Sequence, residues 1–130
     1  MKLINAVKAN LAANEMCGMI WQYDLALALI KVKRATADEV IFFTEREHGI
    51  AMEYAELTAD GRLALSPEGR FKHKDPARGP EYFRRCRELE DTEVSHVPEA
   101  IRVKAPAEIR PSWIEALEGY IEFTDPGVAE

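Results

Sequence analysis

Residues 23–57 read YDLALALIKVKRATADEVIFFTEREHGIAMEYAEL, and what this stretch becomes decides the fold. It is rich in Ala, Leu, Ile, Lys and Glu and holds no proline. Leu29, Thr36, Phe43, Ile50 and Leu57 recur at every seventh residue, flanked by Leu25, Val32, Val40 and Tyr54. Such a line is the stripe of a helix that buries one face along its whole length. Two features oppose continuity: Thr36-Ala-Asp-Glu39 has the form of a capping box, and Gly49 costs about 1 kcal/mol relative to alanine. The stripe keeps its phase through both, which predicts one long helix, bent near Thr36 if it bends at all.

Length then sets a requirement. At 1.5 Å per residue the stretch spans roughly 52 Å, whereas a compact domain of this size is about 36 Å across. The helix overhangs its own domain and has to be covered by a returning helix, by a second copy, or by both. The return is legible. Residues 58–76, TADGRLALSPEGRFKHKDP, carry turn signals at Asp60-Gly61 and Ser66-Pro67-Glu68-Gly69. The runs Leu63–Leu65 and Phe71–His73 between them read as a small hairpin at the tip. Pro80 then opens a second helix with Phe83, Cys86 and Leu89 at helical spacing. Its Arg84, Arg85 and Arg87 would face Glu45, Glu47, Glu53 and Glu56 of the long helix, with Phe83 and Leu89 supplying the burial.

Outward from this core, Met1–Ile4 reads as a short edge strand, and Asn5 as the cap of a brief helix to about Ala13. Residues 16–22, MCGMIWQ, read as a buried extended connection. On the far side, TEVSHV (92–97) and AIRVKA (100–105) read as short strands around Pro98. PSWIEALEGYIEF (111–123) reads as a last helix lined by Trp113, Leu117 and Ile121. The fold class expected is α+β, mostly α, in a single domain over 1–130. Its parts are an N-terminal strand and short helix (1–22), an antiparallel helical hairpin (23–91), short strands with a C-terminal helix (92–123), and a loose tail (124–130).

Composition narrows the function classes. The chain of 130 residues is 47% apolar and 31% charged, as in a folded cytosolic protein. Its opening has no uninterrupted apolar core of a secretory signal, and no run approaches the ~20 apolar residues of a membrane span. A cytosolic location without membrane association is expected. Cys17 and Cys86 have no CxxC spacing and read as reduced, mostly buried small side chains. Net charge is −6, but it alternates in sign: +3 over residues 1–34, −6 over 35–61, +5 over 62–87 and −8 over 88–130. Blocks of opposite sign attract when a chain folds back on itself.

Glu45 and His48 have the Glu-x-x-His spacing of helical di-metal sites, echoed at Glu93 and His96. The echo fails because Val94, Val97 and Pro98 make that segment extended, where positions three apart point to opposite faces. Nothing nearby prepares either thiol as a nucleophile for His48, His73 or His96, and no glycine-rich phosphate loop is present. The basic run RFKHKDPARGPEYFRRCR (70–87) interleaves aromatics as a single-strand binder does, but acidic neighbours compete for its cations. No catalytic, cofactor or metal residue is therefore assigned, and nucleic acid is not expected as a partner.

The order of the phrases MKLIN, AMEYAEL, ADGRLALSPEGRFKHKDP, RELEDTEV and IRPSWIEALEGYIEF resembles a family of small tailed-phage and prophage proteins. This chain differs from that family in its alanine content and in SHVPEA after TEV. The resemblance implies a phage context and a helical-hairpin α+β fold, and it brings no activity and no functional residues. The expected function is a non-enzymatic protein–protein interaction module, a virion or assembly accessory, that self-associates through the long helix. Phe43, Ile50, Tyr54, Trp113 and Leu117 are the candidate packing or interface residues. The alternative is an inhibitor of a host nuclease or defence complex that presents Glu115, Glu118 and Glu122 to a basic site.

Overall fold

The computed structural model describes residues 1–125. Its elements are α1 (Leu3–Met16), α2 (Tyr23–Tyr54), a 3₁₀ turn (Pro76–Arg78) leading into α3 (Gly79–Glu90), β1 (Ile101–Lys104), α4 (Pro111–Ala116) and β2 (Ile121–Thr124). The protein is α+β and mostly α. β1 and β2 form a two-stranded parallel sheet with Ile101 opposite Ile121 and Val103 opposite Phe123. The stretch 126–130, most of the expected loose tail, lies outside the described residues.

The long helix is continuous through both opposing features. Thr36 does not cap a new helix, because its hydroxyl donates back to the Val32 carbonyl at 2.7 Å and accepts from Asn10 Nδ2 at 3.0 Å. A polar residue on the buried stripe is thereby satisfied from both sides. Gly49 has open space around it, and only its propensity cost remains. The helix stops at Tyr54, where Ala55 turns extended. The Tyr54 carbonyl, left without an intrahelical donor, accepts from Lys74 N–H at 2.9 Å.

One face of α2 is buried by the rest of the chain. Over its first half, Leu25, Ala28, Leu29 and Val32 pack on α1, whose Ala6, Ala9 and Ala13 are fully buried. Small side chains there let the two helix backbones come close. Val103 of β1, Trp113, and Leu117, Tyr120 and Ile121 close the same core. Over the second half, Phe43 joins Leu3, Val7 and Leu89 of α3 in a separate cluster.

Several expectations need correction. Met1–Ile4 is not a strand: only Lys2 bridges, to Glu93, and α1 begins at Leu3 because Leu3 and Val7 are drawn into the Phe43 cluster. Asn5 therefore lies inside α1, which runs to Met16. Residues 17–20 are an exposed turn, not a buried connection, and Ile20 is fully exposed; only Trp21 is held in, donating to the Met16 carbonyl at 2.8 Å. Cys17 is exposed and Cys86 half-buried. Residues 92–97 contribute the single bridge at Glu93 rather than a strand. The last helix ends at Ala116, because Gly119 adopts φ +90, open to glycine and strained for other residues; the chain then continues as β2. Trp113, Leu117 and Ile121 are all buried, though across a helix, a turn and a strand. Phe83, expected to supply burial, is mostly exposed.

Candidate interaction surfaces

The residues with chemical potential are scattered. Among the described residues, no three His, Cys, Asp or Glu side chains gather where they could hold a metal ion. Glu45 and His48 sit exposed on α2, while Glu93 and His96 lie outside any helix. Cys86 is held as a thiol: burial pushes its pKa up, against a hydrogen bond with Tyr82 that lowers it. The Tyr82 phenol is in turn pushed up to about 12 by burial and by the Cys86 contact. Neither group is prepared for nucleophilic work at neutral pH.

The basic, aromatic stretch 70–87 folds onto the end of α2. Tyr82 stands edge-on to Tyr54 at 5.6 Å and to Phe71 at 5.2 Å, with His73 at 5.4 Å. Arg78 lies over the Tyr54 ring at 4.6 Å and pairs with Glu81 at 3.0 Å. Arg85 reaches Glu53 at 2.7 Å. Rings and guanidinium groups that would stack on bases and hold phosphate are thus engaged with one another and with carboxylates.

The tip below this cluster is a duplicated turn. Leu57-Thr-Ala-Asp-Gly-Arg-Leu63 is followed eight residues later by Leu65-Ser-Pro-Glu-Gly-Arg-Phe71. Thr58 N–H donates to the Arg62 carbonyl at 2.7 Å and Ser66 N–H to that of Arg70 at 2.7 Å. In each copy the hydroxyl accepts from the arginine N–H at 3.2 Å, and the glycine has φ near +80 (Gly61 82, Gly69 80). The repeat was visible in the sequence as a [ST]-x-[DE]-Gly-Arg pattern, and a reading tuned to turn residues alone passes over it.

Of the candidate interface residues, Phe43, Tyr54, Trp113 and Leu117 are buried in the chain's own core and Ile50 is half-buried. They serve packing, so a partner does not reach them. Glu115 and Glu118 are exposed on the wall of a cleft of about 590 Å³ that Met1, Asn5 and Lys8 also line. Glu122 is separate from that cleft, exposed on β2 opposite Arg102.

What remains open is apolar. The outer face of α2 exposes Tyr23 (80%), Leu27 (37%), Ile30 (40%) and Ile41 (56%). These residues lie four and three apart, or whole turns apart, on one line along the helix. At its N-terminal end the line runs towards the exposed Met19 and Ile20, beside a groove of about 970 Å³ that Trp21 and Trp113 also line. Trp21 and Trp113 meet edge-on at 6.0 Å, and Arg110 covers the Trp113 ring at 4.8 Å. No helix among the described residues is long and apolar enough to cross a membrane. Compared with family models, curated proteins and solved structures, the chain matches none.

Proposed function

We propose that this chain is a non-enzymatic protein–protein interaction module of phage or prophage origin, working in the bacterial cytoplasm. One observation carries the reading: a 32-residue helix whose outer face lines up Tyr23, Leu27, Ile30 and Ile41 in solvent. Isolated exposed apolar residues are ordinary, but several aligned on one helix face, here with Arg34 set among them, mark a contact surface. The phage context rests on the resemblance of MKLIN, RELEDTEV and IRPSWIEALEGYIEF to small tailed-phage proteins.

The reading is tested by capture from host cells of the tagged chain beside an Ile30→Asp/Ile41→Asp variant. Loss of a stoichiometric companion in the variant supports it, and an identical set of companions contradicts it. A second reading, an inhibitor of a host nuclease or defence complex, draws on the exposed Glu115 and Glu118. It predicts that Glu115→Lys/Glu118→Lys abolishes a host interaction while leaving the fold unchanged. Lys8 beside those carboxylates and Arg102 opposite Glu122 dilute the acidic face, and the apolar line on α2 carries more weight.

A further inference from the structure

The outer face of α2 carries a charge pattern that selects what covers it. We propose that a second copy of this chain packs on this face, the two α2 helices running antiparallel about a twofold axis near residues 35 and 36. The inference rests on the interaction-module reading above and names the partner for that surface.

At about 100° per residue, Tyr23, Leu27, Ile30, Ala37, Ile41 and His48 fall within roughly 40° of one line, opposite the buried Val32 and Thr36. Folding this line back on itself sets Ile30 against Ile41, Leu27 against Thr44 and Tyr23 against His48. Each pairing occurs twice in the dimer, as an isologous interface requires. Near the centre, Ala37 of one copy lies opposite Arg34 of the other, a small side chain giving room for a long one.

Charge fixes the direction. Lys31 and Asp38 run along one edge of the line, and Arg34 and Glu45 lie within it on the same side, the side of Leu27. In an antiparallel twofold pair the same edge of both helices meets. Lys31 and Arg34 of one copy then face Asp38 and Glu45 of the other, and the reverse. A parallel pair would instead turn this edge against the opposite edge of the partner, where Ala26, Lys33 and Thr44 offer Lys31 and Arg34 no carboxylate. All four side chains are exposed, and none takes part in an ion pair with the described residues of its own chain. Rim charges of this kind decide orientation and partner choice, while the apolar line supplies the affinity. A different protein would have to bring this pattern, whereas a second copy already holds it.

Sedimentation velocity across the micromolar range tests this. The wild type is expected to dimerise. Ile30→Asp/Ile41→Asp should raise the dissociation constant by about 100-fold or more, with circular dichroism unchanged because both sites are solvent-facing and with Tm falling only at concentrations where the wild type is dimeric. Lys31→Glu/Arg34→Glu makes the edge wholly acidic, and Asp38→Lys/Glu45→Lys makes it wholly basic. Each variant alone should be monomeric, and their equimolar mixture should form a heterodimer. A wild type that stays monomeric overturns the inference, as does a dimer indifferent to Ile30 and Ile41 or a mixture that stays apart. If that monomer still loses a cellular companion on Ile30→Asp/Ile41→Asp, the interaction-module reading stands and only the second copy is refuted. With no companion lost, both fall.

Discussion

The two faces of α2 are nearly equal in apolar character over residues 25–32 and opposite in fate. The inner face carries Leu25, Leu29 and Val32, buried against the alanines of α1 and the Trp113–Ile121 core. The outer face carries Leu27 and Ile30, left in solvent. Intrinsic hydrophobicity does not separate them; the reach of the covering elements does. α1 and α3 between them cover one side of a helix roughly 48 Å long, and nothing among the described residues returns over the other side. A face that is apolar without intrachain cover is where a partner gains most by burying surface.

Substitutions on the two faces should therefore behave differently, and the largest expected effect is on the inner one. Leu29→Ala should lower unfolding stability by about 2–5 kcal/mol, read from urea denaturation, whereas Ile41→Ala should leave the dissociated monomer within ~0.5 kcal/mol of wild type. Equal losses at the two sites would break the distinction. Next in size is the polar pair on the inner face. Thr36→Val removes the acceptor of Asn10 Nδ2 and should cost about 1–3 kcal/mol. Adding Asn10→Leu should recover part of that loss, because the second substitution removes the stranded donor. A strictly additive double variant would show that the pair is not coupled.

A smaller effect of opposite sign is expected at Gly49, where a methyl group meets open space. Gly49→Ala should raise stability by up to ~1 kcal/mol; a loss would mean that this part of α2 departs from a regular helix. The smallest effect concerns the end of the inner face, where Tyr82 packs on Tyr54. Burial holds the Tyr82 phenol neutral up to about 12, above its ordinary 10.0. The folded state therefore retains a proton that the unfolded state releases first. This contribution is complete below pH ~10 and is lost as pH rises through that window. A Tyr82→Phe variant should show a shallower decline of Tm in the same range.

The continuity of α2 was legible because an unbroken seven-residue phase outweighs one capping-box pattern and one glycine. The structure adds the reason, in the hydroxyl of Thr36 bonding back along its own helix. The outer face was harder to read. In LALALI both faces are apolar, so periodicity identifies the helix without saying which line is covered. Phe43, Tyr54, Trp113 and Leu117 therefore read as interface candidates, although the chain buries them itself. The alternating charge blocks were visible as a linear pattern. That Lys31, Arg34, Asp38 and Glu45 share one side of α2 emerges only once the helix is known to be continuous. The C-terminal elements misled for a local reason: Trp113, Leu117 and Ile121 keep helical spacing, while Gly119 at positive φ ends the helix between them. The irregular segment 92–97 gave no signal beyond β-branched composition, which is a weak guide to pairing.

The most direct test of the outer-face account is a double electron–electron resonance distance between spin labels on Asp24→Cys, an exposed site off the contact line, in a Cys17→Ser/Cys86→Ser background. Antiparallel helices crossing near residues 35 and 36 place the two labels about 35 Å apart, from the 1.5 Å rise per residue. A distribution centred there supports the account. A short separation, as in a parallel pair, or no dipolar modulation at a concentration well above the dissociation constant of the unlabelled chain, contradicts it.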